Sequence, residues 1–294
     1  MQTKVTLQRK PTHKSFTGYF RSLADSRPDT VREGWIASLR YFEQFAGGVR
    51  FDDVDERFCD EFRDYLLSTN SLRTRSVRLA HNSAVSYYSK FLSALHLACR
   101  DGLLPAGLSD RVDPISEVET QRNYLTMEEL NRLASVRCGD ELLKRAALFS
   151  CLTGIRFCDI EKMIWSEVER VDGQGWIVRF TQRKTGGVET MPVSDQAAGF
   201  MGDRRGPDDR VFYGLNYSAA SNRVLARWIR SAGISKKITF HCFRHTFATL
   251  QLSLGTDIYT VSKMLGHRDL KTTQVYARIV DQTKREAAGR IRLG

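Results

Sequence analysis

The chain has 294 residues, enough for two domains of ordinary size with separate hydrophobic cores. With 41% hydrophobic and 27% charged residues, 6 Pro and 21 Gly, the composition excludes a disordered or collagen-like chain, and no apolar run approaches membrane-spanning length. The net charge is +11, and the excess is uneven: residues 1–120 carry 17 basic and 16 acidic side chains, residues 121–294 carry 28 and 18. Such a balance suggests a polyanionic partner, nucleic acid first. The N-terminus has no apolar segment followed by a small-residue cleavage site, so a cytoplasmic location is expected, with no membrane partner. The six cysteines form no C-x-x-C pair and several sit in apolar stretches, which points to free thiols rather than disulfides or structural zinc.

The first third reads as helices. Thr30 is the expected cap of a segment in which Val31, Trp35, Leu39, Phe42 and Phe45 recur at three- and four-residue steps, stopping at Gly47 and Gly48. A second helix is expected from about Asp55, burying Phe58, Cys59, Phe62, Tyr65 and Leu66, with residues 68–71 as a loop. A third is expected from about Leu72 to Asp101, with Val77, Ala80, Ala84, Phe91, Leu95 and Ala98 on one face and Arg73, Arg75, Arg78 and Lys90 on others. Residues 103–123 contain Pro105, Gly107 and Pro114 with little periodicity and read as an inter-domain connection. The expected organisation is a helical domain over 1–112, a linker over 113–123 and a second domain over 124–294.

In the second domain Thr126 and Glu129 have the spacing of a capping box. Residues 176–180 and 188–193 are short β-prone runs flanking a polar tip, residues 182–187, and everything after Leu215 reads as helical. The fold class expected is mainly α with a small β-hairpin or sheet in the second domain. No repeat of 20–50 residues and no low-complexity stretch occurs.

Four segments of this domain combine chemically: Thr153-Gly154-Ile155-Arg156, the hairpin tip bearing Lys184, His241-Cys242-Phe243-Arg244-His245, and Leu265-Gly266-His267 followed by Tyr276. Two guanidinium groups suit the nonbridging oxygens of a phosphate and the extra charge of its pentacoordinate transition state. A tyrosine hydroxyl can serve as nucleophile when cations and a base surround it, and Lys and His can move the protons. The set requires no metal and no cofactor.

In their order and spacing these boxes resemble the tyrosine recombinases of the phage integrase family. The family's T-G-x-R pattern falls on Arg156, its hairpin lysine on Lys184, its H-x-x-R box on His241 and Arg244, its Leu-Gly-His on His267, and its nucleophile on Tyr276 nine positions later. The resemblance spans residues 124–285 and, more loosely, the first domain, which is similar to the family's helical, SAM-like core-binding domain. Two local departures touch none of these roles: Phe157-Cys158 follow the first arginine where smaller or polar residues are usual, and Asp113-Pro114 stands in place of a common Asn-Pro.

The resemblance implies a two-domain architecture and site-specific DNA recombination: integration, excision, inversion or resolution. Tyr276 would form a 3′-phosphotyrosyl bond, Arg156, Arg244 and His267 would hold the phosphate, Lys184 would protonate the leaving oxygen and His241 would accept the tyrosine proton. The implied partners are double-stranded DNA, three further copies in a tetramer on two DNA sites, and accessory DNA-bending proteins. Residues 281–294 are expected to form a short helix docking on a neighbouring subunit. Given a duplex, Arg73, Arg75, Arg78, Lys90 and Arg183 become candidate DNA contacts, chiefly to phosphate.

Taken singly, each residue has a blander account. Arg156 could pair with Asp159 three residues on, Lys184 could be a solvated turn lysine, and Tyr276 a half-buried aromatic. His241 and His245 could face one metal, but the stretch lacks the Glu of H-E-x-x-H. Two other functions are expected to compete: relaxation of DNA in the manner of a type IB topoisomerase, against which the His of H-x-x-R argues, and non-catalytic DNA binding. With only residues 1–13 before the first helix, no further folded DNA-binding domain is expected if Met1 is the native start.

Overall fold

A computed structural model describes residues 14–118, 122–183 and 186–277. Lys184 and the expected C-terminal helix lie outside these residues, as does the N-terminal extension. The chain divides into two compact units, Met1–Thr120 and Gln121–Gly294.

The first unit is built from α1 (Phe16–Asp25), α2 (Asp29–Ala46), α3 (Glu56–Ser68) and α4 (His81–Arg100). Ser15 and Asp55 cap α1 and α3 by accepting the backbone N–H groups of Gly18 and Phe58. The core is aromatic: Phe42 lies against Phe62, Phe91 and Phe16 at ring separations of 5.2, 5.6 and 5.6 Å. Each such pair contributes about 0.5–1.5 kcal/mol beyond the area it buries.

Two expectations for this unit are corrected. Helix α2 starts one residue before Thr30, with Pro28 as its cap, and Val31, on the Trp35, Leu39 and Phe42 face but in the first turn, is exposed. More consequentially, the third helix does not begin near Leu72. Residues 69–80 form a loop closed on itself, with Ser71 N–H donating to Val77 O, Leu79 N–H to Thr69 O, and a bridge between Asn70 and Arg78. The Leu72 N–H is taken by the Tyr41 hydroxyl at 2.9 Å. Backbone groups that a helix would have paired internally are satisfied in the loop, so Arg73, Arg75 and Arg78 stand on an exposed loop and not on helix faces.

The second unit runs through α5 (Met127–Ser135), α6 (Glu141–Thr153), α7 (Phe157–Lys162), β1 (Val168–Val171), β2 (Gly175–Thr181), β3 (Val188–Val193), α8 (Asp195–Gly199), α9 (Ala219–Ser231), α10 (Phe240–Ser253), α11 (Ile258–Met264) and α12 (Lys271–Ala277). Both halves of the Thr126–Glu129 capping box form. The hairpin of β2 and β3 has Val178 opposite Met191, and β1, which the sequence reading lacked, adds antiparallel with Val168 opposite Val178. Val168, Val178, Phe180, Met191 and Val193 turn one face of this sheet into the unit's core. Helix α6 packs on α10, where Ala146 and Ala147 let the backbones approach and Phe149 and Phe243 fill the space around them. Among the described residues no helix is long and apolar enough to cross a membrane.

Candidate active site

The site is assembled from the end of α6, the start of α10, the end of α11 and helix α12. At the end of α6, Thr153 donates its hydroxyl to Phe149 O at 2.7 Å and accepts the Ile155 N–H at 3.3 Å, while Ser150 donates to Ile155 O. Gly154 closes the helix at φ +71°, a left-handed conformation that disfavours any side chain. A Cβ there would stand 2.5 Å from the Phe247 ring. The T-G-x-R pattern is thus a helix stop that turns the chain sharply and leaves Arg156 as the extended cap residue of α7.

Helix α10 carries His241, Arg244 and His245 within one turn and a third. Arg244 is buried, donating Nη1 to Gly154 O at 2.6 Å and Nη2 to Leu265 O and to His267 Nε2, the last at 3.1 Å. Burial, followed by the neighbouring charge of Arg156, draws its guanidinium down to about 9, which leaves it charged at neutral pH. Arg156 itself has a buried Nη1 with no hydrogen-bond partner among the described residues. Two neighbouring guanidinium groups, one with an unsatisfied buried donor, make a site that calls for an anion.

The Leu265-Gly266-His267 box is a second helix stop. The His267 N–H reaches back to Ser262 O at 3.0 Å and Gly266 takes φ +59°, closing α11 and fixing where the imidazole starts. Its ring bridges Arg244 and the Thr273 hydroxyl, 2.8 Å from Nδ1. Burial and then Arg244 pull this imidazole down to about 4.

Tyr276, on α12, is not half-buried: it is 1% exposed, packed with Phe247, Ala248, Leu252, Val261 and Leu265. Its hydroxyl lies 2.7 Å from His245 Nδ1 and 3.3 Å from Arg122 Nη1. Burial and the adjacent His241 drive His245 down to about 3, so the ring is neutral where its Nδ1 shares a hydrogen bond with the tyrosine hydroxyl. His241 is exposed, with its ring 4.5 Å from that of His245.

Other candidates fall as follows. The expected Arg156–Asp159 ion pair does not form. The Asp159 carboxylate, 1% exposed, instead accepts the Arg183 backbone N–H at 2.8 Å, tying α7 to the base of the hairpin tip that leads to Lys184. The Arg183 guanidinium stands 3.7 Å from Glu161. Lys90 donates to Ser86 O and Oγ on its own helix and lies beside Gly34, so it is more enclosed than the arginines grouped with it. By contrast the side chains of Arg73, Arg75 and Arg78 have no partner among the described residues, and Arg73 and Arg78 border an open cavity of about 1220 Å³ shared with Arg40. Sequence reasoning missed Arg40, Arg122, Thr273 and the bond from His245 to Tyr276. The i+4 spacing of His245 from His241 was the one available signal for the last, since it sets both rings on one helix face.

The structure thus brings paired guanidiniums, two neutral imidazoles and a tyrosine hydroxyl together in one unit. The phage integrase family profile matches residues 123–283, and that of the phage integrase SAM-like domain matches residues 15–112. The tyrosine recombinase XerA of Saccharolobus solfataricus is 27% identical over 84% of this chain and 72% of its own length. XerD of Oceanobacillus iheyensis is 23% identical over 88% and 89%. Among solved structures, a lambda integrase fragment bound as a dimer to a COC′ core site superposes with TM-score 0.68 at 17% identity, over 88% of this chain and 92% of that one. A Tn1549 transposon integrase in complex with transposon right end DNA gives 0.67 at 14% identity over 93% and 99%, likewise a likeness of fold. The chain belongs to the phage integrase family, the tyrosine-type site-specific recombinases.

Proposed function

We propose that this recombinase cleaves duplex DNA by attack of Tyr276 Oη on the scissile phosphorus. The observation that carries the reading is the buried, unsatisfied Arg156 Nη1 beside buried Arg244, a pair that awaits a phosphate in the unit that also buries Tyr276. In the step, the Oη–P bond forms and the bond from phosphorus to the 5′-oxygen breaks. The tyrosine proton passes to His241, and a proton from Lys184 goes to the departing 5′-oxygen. Arg156, Arg244 and His267 hold the nonbridging oxygens and stabilise the charge of the transition state. A 5′-hydroxyl from a partner duplex reverses the sequence and joins the new strand.

The reading extends to a tetramer on two DNA sites, assisted by DNA-bending proteins, working in the cytoplasm to integrate, excise, invert or resolve DNA of a mobile element. Arg73, Arg75 and Arg78 on the loop of the first unit, with Lys90 and Arg183, would contact the duplex. The test is covalent capture: wild type and Tyr276→Phe are incubated in EDTA with nicked suicide duplexes tiled from DNA flanking the gene. The wild type is expected to form an SDS-resistant adduct that the variant lacks. Absence of any adduct on fragments the protein binds would overturn the reading.

A further inference from the structure

The Tyr276 hydroxyl is engaged on both sides. It shares a hydrogen bond with His245 Nδ1 at 2.7 Å and accepts from Arg122 Nη1 at 3.3 Å, whose guanidinium also stands 5.7 Å from the centre of the phenol ring. These two contacts are unlike. His245 is 6% exposed and belongs to the packed helix α10. Arg122 is exposed, lies at the start of the second unit outside any helix or strand, and has no carboxylate partner among the described residues.

A tyrosine 1% exposed cannot meet a phosphorus atom of duplex DNA without leaving its seat. Any bond made only in that seat lowers the resting state and leaves the transition state untouched, so it raises the barrier to attack. The Arg122 bond is of this kind. It is also the easier of the two to remove, because a guanidinium forms a stronger, charge-assisted and bidentate contact with a phosphodiester than with a neutral phenol.

We infer that Arg122 is a positioning residue that latches Tyr276 in its buried seat and is drawn off the hydroxyl by the phosphates of bound DNA. The latch rests on the reading of Tyr276 as nucleophile. It links occupancy of the site by DNA to freedom of the tyrosine, and it limits premature reaction of the hydroxyl in the DNA-free protein.

The experiment has two arms on the full chain. In the first, DNA-free protein is acetylated with N-acetylimidazole and modification of Tyr276 is followed by mass spectrometry, with exposed Tyr213 and Tyr259 as internal references. Loss of one hydrogen bond corresponds to about a five-fold rise in Tyr276 acetylation for Arg122→Ala, with Arg122→Lys, which keeps a cationic donor, near wild type. Unchanged reference tyrosines exclude general loosening, and Arg122→Gln serves as a second variant if Arg122→Ala folds poorly. In the second arm, adduct formation on a nicked suicide duplex at saturating protein is expected to be about five-fold faster in Arg122→Ala. Acetylation equal to wild type, or slower adduct formation, overturns the latch, and the latter would make Arg122 a phosphate ligand. If wild type forms no adduct at all, the recombinase reading fails while the acetylation arm still decides the latch.

Discussion

Arg244 donates to His267 Nε2 at 3.1 Å, and that bond fixes the tautomer of the imidazole. A guanidinium has no acceptor, so Nε2 must present its lone pair and Nδ1 must carry the hydrogen, which it gives to the Thr273 hydroxyl at 2.8 Å. His267 is therefore neutral in the resting site, held between a guanidinium charged at neutral pH and a hydroxyl.

Thr273→Val removes the acceptor for that Nδ1–H while conserving volume in a fully buried position. Leaving a buried donor unmatched frees the ring to turn, and the rate of adduct formation is expected to fall about ten-fold with little change in DNA affinity. Thr273→Ser should restore the rate. Single-turnover cleavage decides the matter, and a wild-type rate in Thr273→Val would mean that Arg244 orients the ring alone.

The two buried imidazoles make stability sensitive to acid. His245 is pulled down to about 3 and His267 to about 4 from an ordinary 6.5, mainly by burial and then by adjacent cationic groups. Both values are depressed, so below 6.5 the unfolded chain binds protons that the folded chain refuses. Their contribution is fully present above about pH 6.5 and is lost as pH falls toward 4 and 3. The melting temperature should decline over that window, and His245→Asn should flatten the decline; a variant that retains the full slope would assign it to other groups.

Gly154→Ala is expected to destabilise the second unit by about 3 kcal/mol, from left-handed backbone strain together with overpacking against Phe247. The positive φ and the 2.5 Å approach to the Phe247 ring act at the same atom. Urea unfolding would measure the loss. Because Gly154 O also receives Arg244, cleavage should fall along with stability.

On the first unit, Tyr41→Phe deletes the acceptor of the Leu72 N–H but keeps the ring stacked 5.1 Å from Tyr87. The loop carrying Arg73, Arg75 and Arg78 should loosen, weakening DNA binding about five-fold. Replacing Arg73 or Arg78 by Ala should lower the slope of log affinity against log salt by about 0.9 each. Lys90→Met should change the slope less, because its ammonium is already bonded to Ser86. Binding titrations at several salt concentrations test all three, and equal slopes throughout would remove this loop from the interface.

Much of the second unit was legible in the sequence because its signals are local. Thr126 and Glu129 close a box three residues apart, and the β-prone runs around the polar tip 182–187 pair as a hairpin. Each of these is decided by backbone hydrogen bonding within a few residues. The family boxes are of the same kind, short runs whose order along the chain is visible without any fold. Residues 72–80 misled for a related reason: helical spacing continues through them, but the Leu79 N–H, which a helix would have paired four residues back, closes on Thr69 O across the loop. What the sequence determined by itself was the two-unit plan, the helix stops and the chemical inventory of the site. Only the tertiary structure decided that Tyr276 is sealed in an apolar seat, that its hydroxyl faces His245 and that Arg122, 154 residues away in the chain, rests on its oxygen. Contacts of that range depend on how helices pack, and no local rule of spacing or capping encodes them.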